Sequence, residues 1–259
     1  MKSIKNLFDL SGQVAIVSGG ASGIGLQMSY ALGEAGANLV LAARKIDRCR
    51  EVAQIMEKDL GIDVLPVQVD VGNPEDISQL YKIVLERFSR VDILVNNSGA
   101  TWGASSFEYP LKAWEKVIKV NLTGSWLMAQ EAARIMVQQK YGRIINVTSL
   151  AAFVGAPAEV MDTVAYQASK AGLAGLTKDL AVKWAPYNIT VNGLAPGWFP
   201  SKMTTGTLKK SQEVLLNGIP LGRFGSDDEL KGATLFLASP GAGYCTGSIL
   251  SVDGGWVAQ

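Results

Sequence analysis

The chain has 259 residues, 48% of them hydrophobic, and its 24 basic and 23 acidic residues leave a formal net charge of +1. We predict one domain over residues 1–259, because this length and apolar content suffice for a single large α/β core. The even balance of charge gives no sign of a nucleic-acid partner.

Histidine is absent, and the two cysteines, Cys49 and Cys245, match no metal or redox spacing. We therefore expect no bound metal, and two free thiols in a reducing compartment. No apolar stretch is long enough for a secretory signal or a membrane span. These observations predict a cytoplasmic protein with no membrane partner.

The N-terminal part of the chain alternates strand, helix and strand. Residues 13–18 read as a buried strand, the glycine-rich segment 18–25 follows, and apolar spacing predicts a helix over residues 23–36 and a strand over residues 38–43. Glycines at such a junction let a pyrophosphate approach the backbone at the positive end of the helix. We predict a dinucleotide site there, although a glycine-rich loop can also simply turn the chain. The candidate residues are Ser18, Gly19, Ser22, Gly23, Ile24 and Gly25.

The residues after the second strand bear on the choice of dinucleotide. A chain that prefers NAD is expected to carry a carboxylate there for the ribose 2′-hydroxyl, whereas this chain has Arg44 and Lys45. Both cations suit charge-assisted hydrogen bonds with the 2′-phosphate of NADP. We therefore favour NADP(H) over NAD. The alternative is that Arg44 is a solvent-exposed residue at the end of a strand.

Two further strands are predicted to end at the same edge of the sheet. Strand 64–69 is followed by Asp70 and Val71, and strand 92–96 is followed by Asn97, Ser98 and Gly99. In an open parallel sheet the ligand lies outside the carboxyl ends of the strands, so these residues are expected to surround the adenine and the ribose. For Asp70, a role in ending the strand and starting the next helix is an equally good interpretation.

Tyr166 and Lys170 are four residues apart, so a helix would place them one turn apart on the same face. A free tyrosine has a pKa near 10, and poising it near 7 requires about 4 kcal/mol of preferential stabilisation of the phenolate. An ammonium about 4 Å away supplies about that much at an effective dielectric of about 20. The pair therefore predicts a general acid or base, although an isolated pair is also typical of a solvated helix face.

The order of these segments, over about residues 10–256, resembles the short-chain dehydrogenase/reductase family. The matching positions are the glycine segment 18–25, the turn 96–99, Asn121, Ser149 after a strand at residues 143–148, Tyr166 with Lys170, the pair Pro196-Gly197, and the segment 252–255. Two positions depart from the usual pattern, with Ser18 in place of Thr and Ser98 in place of Ala. The resemblance implies a doubly wound parallel α/β sheet of the Rossmann type, flanked by helices.

The resemblance also implies roles for the catalytic residues. Tyr166 would exchange a proton with the substrate oxygen while hydride moves on the cofactor, and Ser149 would hydrogen-bond the same oxygen. Lys170 would lower the pKa of Tyr166 and bind the nicotinamide ribose, and Asn121 would hold a water linking Lys170 to solvent. Read alone, Ser149 could cap a turn and Asn121 could make a polar contact inside a helix. The residues implied to bind the cofactor also include Tyr166, Pro196, Gly197 and Ser201, the last through the nicotinamide amide.

The stretch between Ser149 and Tyr166 is a few residues longer than is usual in the family and is expected to border the substrate. With the segment 196–204, it resembles the 3-oxoacyl reductases related to the rhamnolipid-pathway reductase. Gluconate dehydrogenases share a similar segment, and an apolar loop could also pack against a neighbouring subunit. We therefore expect a reductase of 3-oxoacyl thioesters, with a sugar or polyol dehydrogenase and a non-catalytic nucleotide-sensing subunit as alternatives.

Two expectations concern larger features. The resemblance implies a homotetramer joined partly through long helices near residues 110–138 and 165–185. Among the six tryptophans, Trp102, Trp198 and Trp256 are candidates to line or cover the substrate pocket, and for Trp198 a place in the core is an equally good interpretation.

Overall fold

The computed structural model describes residues 1–259 and contains seven strands in one sheet. The strands are β1 Val14–Ser18, β2 Asn38–Ala43, β3 Val64–Gln68, β4 Ile93–Asn96, β5 Gly142–Val147, β6 Ile189–Pro196 and β7 Ile249–Val252. They run parallel in the order β3-β2-β1-β4-β5-β6-β7. The predicted fold class, a doubly wound parallel sheet flanked by helices, is confirmed.

Eleven α-helices connect and flank the strands. They are α1 Ile4–Phe8, α2 Gly23–Glu34, α3 Ile46–Leu60, α4 Pro74–Phe88, α5 Leu111–Ile118, α6 Ser125–Gln139, α7 Ala158–Met161, α8 Val164–Trp184, α9 Thr205–Lys210, α10 Gln212–Asn217 and α11 Lys231–Ala238. No helix combines the length and the apolar content needed to cross a membrane.

Local sequence explains where the main helices start and stop. The side chain of Asn73 accepts a hydrogen bond from Glu75 N at 3.1 Å, and Pro74 occupies the first position of α4. Helix α3 ends at Gly61, whose φ of 67° is in the left-handed region. The predicted strands agree with the observed ones to within about one residue at each end.

One predicted helix is divided. The chain near residues 110–138 forms α5, a six-residue π-helical turn Lys119–Gly124, and then α6. A π-helical turn is a local insertion that shifts the faces of the helix on its two sides, and such turns often occur at functional sites. Here the turn contains Asn121.

The sheet is covered on both faces. One buried apolar cluster of 23 residues includes Met28 and Leu32 of α2, and a second of 23 residues includes Leu80 of α4 and Met128 of α6. A third, smaller cluster includes Leu150, the residue that follows Ser149. Its other buried members are Trp198, Leu208, Leu215 and Ile219. The two large clusters hold the sheet rigid, so the loops at its carboxyl edge have a fixed base.

Candidate active site

The carboxyl ends of β1 and β4 are joined where the strand order reverses. Ser18 Oγ accepts hydrogen bonds from Asn97 N and Ser98 N, both at 2.9 Å, and Asn97 Nδ2 donates to Ser18 O at 2.9 Å. The Ser18 hydroxyl therefore ties the glycine-rich turn to the turn after β4. This edge of a doubly wound sheet is where ligands bind.

The glycine-rich turn fits a dinucleotide. Gly19 and Gly23 have φ values of +68° and +53°, in the region that favours glycine, and a Cβ on Gly25 would lie 2.3 Å from Gly19 O. Ser22, the N-cap of α2, is exposed and makes no capping hydrogen bond with its side chain. The first N–H groups of a helix have no partner within it, so this end of α2 suits a diphosphate. Ile24 follows in the first turn and is partly buried.

The residues predicted for the adenosine half line the same edge. Arg44 and Lys45 are exposed at the end of β2, and the Arg44 side chain has no hydrogen-bond partner. Asp70 lies after β3, where one carboxylate oxygen accepts from Gly72 N at 2.9 Å and so closes the turn. Val71 is buried next to Asp70. Asp70 thus forms a turn after β3, as in the second interpretation, although Asn73 caps the next helix; contact of Asp70 with the adenosine stays a prediction.

Tyr166 and Lys170 lie one turn apart on α8, as predicted. Lys170 is 4% exposed, its Nζ donates to Val147 O at 2.6 Å, and the same Nζ lies 5.7 Å from the centroid of the Tyr166 ring. Ser149 follows β5, and its Oγ accepts from Ala151 N at 3.2 Å. The end of β5 and the first turns of α8 therefore bring Ser149, Tyr166 and Lys170 together.

Burial outweighs any lowering of the Tyr166 pKa in this structure, and the effect of Lys170 on that pKa stays a prediction. Burial of the phenol raises the pKa of Tyr166, and a hydrogen bond with Ser149 opposes this rise. Burial also lowers the pKa of Lys170, to about 8. The ammonium donates to a backbone carbonyl and stands over the tyrosine ring, so its effect on the hydroxyl is smaller than the cost of desolvation.

Asn121 is fully buried in the π-helical turn and connects two parts of the site. Its Oδ1 accepts from Ala100 N at 2.7 Å, and its Nδ2 donates to Ala100 O and to Ser169 Oγ, both at 2.9 Å. Both donors of the amide are used. The side chain therefore fixes the turn after Gly99 against α8, and the role of holding a water stays a prediction.

The chain after β6 passes over the glycine-rich turn. A Cβ on Gly23 would lie 3.7 Å from Ser201 Cβ, and one on Gly99 would lie 3.9 Å from Met203 Cε. Gly197, which follows Pro196 at the end of β6, has no room for a Cβ because Asp253 Cα would be 2.5 Å away. The Ser201 hydroxyl lies 2.9 Å from Thr204 Oγ1. Ser201 thus lies beside the glycine-rich turn, and Pro196 and Gly197 lie at the carboxyl end of β6, on the same edge of the sheet.

Apolar side chains border Ser149 on one side. Trp198 is buried and packs edge-on against Trp256, with ring centroids 5.9 Å apart, in the cluster that contains Leu150 and Leu208. Partly buried Val160 and Met161, from the long loop before α8, complete this apolar wall. Trp102, the third tryptophan predicted at the pocket, is 46% exposed.

Two residues with contacts at the site were not among the predictions. Ser169 accepts from Asn121 and donates to Tyr166 O at 2.7 Å. Arg48 of α3 donates from Nε to Ala21 O in the glycine-rich turn at 3.3 Å. The position of Ser169 next to Lys170 was a usable signal. Arg48 lies in the first turn of α3, but nothing in the sequence indicates that its side chain turns back to the glycine-rich segment. No group of three or more histidine, cysteine or acidic side chains is arranged to hold a metal ion.

Comparison with known proteins agrees with this architecture. The family model described as Enoyl-(Acyl carrier protein) reductase matches residues 19–257. A 3-oxoacyl-[acyl-carrier-protein] reductase from Synechocystis is 39% identical over 251 residues, which cover 96% of this chain and 98% of that protein.

Two solved structures are similar over nearly their whole length. A short-chain type dehydrogenase/reductase from Mycobacterium marinum has a TM-score of 0.94 and 35% identity, covering 99% of this chain and 100% of its own. A gluconate 5-dehydrogenase from Burkholderia cenocepacia, in complex with NADP and tartrate, has a TM-score of 0.94 and 32% identity, with the same coverage of 99% and 100%.

Proposed function

The chain belongs to the short-chain dehydrogenase/reductase family of oxidoreductases, and from this premise we propose that it reduces the ketone of a 3-oxoacyl thioester with NADPH. The observation that carries the reaction type is the group of Ser149, Tyr166 and Lys170 beside a glycine-rich dinucleotide cradle. When bound, the nicotinamide cofactor supplies hydride to the carbonyl carbon.

The chain's own residues move the proton. Tyr166 donates its phenolic proton to the carbonyl oxygen, while Ser149 hydrogen-bonds the same oxygen. The raised pKa of Tyr166 keeps this proton on the phenol at neutral pH, which suits a general acid in reduction. As the phenolate forms, the Lys170 ammonium over the ring stabilises the negative charge.

Other residues hold the cofactor and keep the geometry. Gly19, Gly23 and Gly25 leave room for the diphosphate, and Ser22 and Ile24 supply the first turn of α2. Arg44 and Lys45 bind the 2′-phosphate of NADP, which favours it over NAD. Further residues that contact the adenosine or nicotinamide halves are Ser18, Asp70, Val71, Asn97, Ser98, Gly99, Pro196, Gly197 and Ser201. Asn121 is a positioning residue, because it fixes Ala100 and Ser169.

The border of the site favours an acyl substrate. The partly buried members of the apolar wall, Val160 and Met161, suit an alkyl chain, and the buried Trp198 and Leu150 support them. Both charged residues between Ser149 and Tyr166, Glu159 and Asp162, are carboxylates, which repel the carboxylate of a sugar acid.

A gluconate-type dehydrogenase is the second candidate. It is favoured by the high similarity to the Burkholderia cenocepacia enzyme and by Lys202, an exposed cation in the segment that covers the cradle. A lysine there could pair with the carboxylate of a sugar acid.

The test follows NADPH absorbance with acetoacetyl-CoA, a longer 3-oxoacyl thioester, 5-ketogluconate and an enoyl thioester. We expect turnover of the oxo thioesters, faster with the longer chain. Turnover of 5-ketogluconate alone would favour the second candidate, and turnover of the enoyl thioester alone would contradict carbonyl reduction. Tight NADPH binding without turnover of any ketone would support a nucleotide sensor.

The cofactor preference has its own test. Arg44→Asp removes a cation and adds a carboxylate, so NADPH binding should weaken at least about tenfold while NADH binding improves. An unchanged preference for NADPH over NADH would show that Arg44 is a solvent-exposed residue that takes no part in cofactor binding.

We also propose a homotetramer, joined partly through the helices near residues 110–138 and 165–185. Large apolar side chains on these helices are exposed, with Leu111 at 70%, Trp114 at 36% and Val182 at 77%. Light scattering after gel filtration would give the mass, and a monomer would contradict the proposal.

A further inference from the structure

The start of α3 brings a second arginine to the glycine-rich turn. Arg48 Nε donates to Ala21 O at 3.3 Å, and Arg48 Nη1 lies 2.8 Å from Glu51 Oε1. The side chains of Arg48 and Glu51 are 45% and 59% exposed. A guanidinium has five N–H donors in a planar fork, so most of those on Arg48 remain open to solvent.

Arg48 shares this corner of the molecule with other groups that suit an anion. Arg44 is exposed and its side chain has no partner, Lys45 precedes α3, and the exposed Ser22 hydroxyl makes no capping bond. The next arginine along the helix, Arg50, pairs with Asp47 and makes no contact with the turn. Arg48 is thus the arginine of α3 that the fold fixes beside the cradle.

We propose that Arg48 is a second arginine for the 2′-phosphate of NADP, and that Glu51 tunes the preference for NADP over NAD by competing for Arg48. The proposal rests on the proposed use of a nicotinamide dinucleotide. The hydrogen bond to Ala21 holds the guanidinium beside the turn before any ligand arrives, so less side-chain entropy is lost on binding.

The competition follows from charge. A 2′-phosphate carries more negative charge than a carboxylate and presents three acceptor oxygens, so it replaces Glu51 as the partner of Arg48. The ion pair between Arg48 and Glu51 must loosen when the phosphate binds, and this cost reduces the gain in affinity for NADP. NAD lacks this phosphate, and for NAD the pair between Arg48 and Glu51 stays intact.

The test measures binding without turnover, by titration calorimetry with 2′,5′-ADP and with 5′-AMP. Arg48→Ala should weaken 2′,5′-ADP about tenfold and leave 5′-AMP within about twofold. Glu51→Gln should tighten 2′,5′-ADP about threefold without changing 5′-AMP. Both effects should shrink at high salt, because the groups are half exposed.

Arg50→Ala is the matched control and should change neither affinity. In the double variant Arg48→Ala with Glu51→Gln, the gain from Glu51→Gln should vanish. Equal weakening of both probes by Arg48→Ala would assign Arg48 to the fold of the turn and overturn the proposal. Unchanged affinities, or a gain from Glu51→Gln that survives in the double variant, would also overturn it.

These outcomes separate the proposal from the proposed reaction, because neither probe contains nicotinamide. A protein that reduces no 3-oxoacyl thioester but shows the Arg48 effect on 2′,5′-ADP would contradict only the reaction. A protein that reduces thioesters with NADPH but lacks the effect would contradict only the role of Arg48.

Discussion

At Tyr166 and Lys170, burial shifts two pKa values in opposite directions, up for the phenol and down for the ammonium. Both shifts favour the neutral form of the side chain. The resting site therefore holds a protonated phenol beside an amine that titrates near pH 8, which is a suitable state for donating a proton.

The first prediction at this scale concerns the proton donor. Tyr166→Phe removes the phenolic hydroxyl and keeps the ring, so we expect kcat to fall by about 10²–10⁴ while the Kd for NADPH changes less than about twofold. Steady-state kinetics and a fluorescence titration measure the two quantities. Tyr187→Phe, at a half-exposed residue after α8, is the control. Retention of most activity in Tyr166→Phe would contradict the mechanism.

The second prediction concerns stability and pH. Between about pH 8 and 10.5, the unfolded chain keeps the Lys170 proton that the folded chain has lost, so this lysine makes the free energy of unfolding rise with pH. Tyr166 acts the other way above about pH 10, where its unfolded form loses a proton that the folded form keeps. The free energy of unfolding is therefore expected to rise with pH between about pH 8 and 10.

Urea unfolding at pH 7.5 and 9.5 tests this. Relative to Lys170→Met, the wild type should gain about 2 kcal/mol between these pH values, because they span most of the interval between the folded and unfolded pKa values of Lys170. The difference between the two proteins cancels other titrations. Equal changes in both proteins would show that Lys170 titrates normally.

Residue identities at the site were largely predictable, but their contacts were not. The spacing of Tyr166 and Lys170 fixes their place on one helix face. The partner of Lys170 Nζ, the carbonyl of Val147, depends on how α8 packs on β5, and that packing is set by distant residues.

At the scale of elements, the glycine-rich turn uses its glycines for two different reasons. A side chain at Gly25 is excluded because its Cβ would lie 2.3 Å from Gly19 O. Gly23 is required for a different reason, because its φ of +53° is in the left-handed region. The two reasons predict different consequences of substitution.

Gly23→Ala should destabilise the protein by about 1–2 kcal/mol through backbone strain, and it should also weaken NADPH binding at least about tenfold, because it adds a methyl group to the turn that we propose binds the diphosphate. Gly12→Ala is a matched control, since Gly12 has a φ of +76°, open space around it and a position before β1. It should cost similar stability and leave NADPH binding unchanged. Thermal unfolding and calorimetry measure both effects, and equal NADPH affinity in the two variants would argue against a cofactor at Gly23.

The π-helical turn carries a prediction of its own. Asn121→Ala leaves the N–H and C=O groups of Ala100 without partners and removes the donor to Ser169 Oγ, so we expect a loss of about 2–4 kcal/mol and a lower kcat. Thr123→Ala, at an exposed position of the same turn, should have little effect. Chemical unfolding and kinetics test the pair. A fully stable Asn121→Ala would show that water satisfies these groups.

This turn also marks a limit of sequence reasoning about elements. Continuous apolar runs were enough to place β1, β2 and β4 to within about one residue. The apolar period before and after Asn121 predicts a helix on both sides. The π-helical turn between them is stabilised by contacts of Asn121 with Ala100 and Ser169, which are distant in sequence.

At the scale of the whole molecule, the reversal of strand order between β1 and β4 puts the cradle over the centre of the sheet. A ligand there touches loops from both halves, so its binding energy adds to global stability. NADPH at about 100 times its Kd should add about 2.7 kcal/mol, or roughly 5–10 °C in Tm.

NADH at the same concentration should give a smaller rise, because it lacks the 2′-phosphate. Differential scanning calorimetry of the protein with each cofactor measures this. Equal rises would contradict the NADP preference, and no rise with either would contradict a nucleotide site at this edge.

The overall topology was predictable from the order of the motifs. Each motif, whether the glycine-rich segment, a strand end or the pair of Tyr166 and Lys170, marks one strand or helix of the doubly wound sheet. The pairing of Trp198 with Trp256 was not, because it joins the end of β6 to the chain after β7 through an apolar cluster that no short-range pattern reveals.

That pairing gives the protein a built-in optical reporter. The Trp198 ring is buried and its Nε1 has no hydrogen-bond partner, so its fluorescence should be blue-shifted. Reduced nicotinamide absorbs where indole rings emit, so cofactor in the cradle would quench this emission by resonance energy transfer. Movement of the segment after Trp198 would instead shift the emission to the red, so cofactor binding and movement of this segment would change different features of the emission.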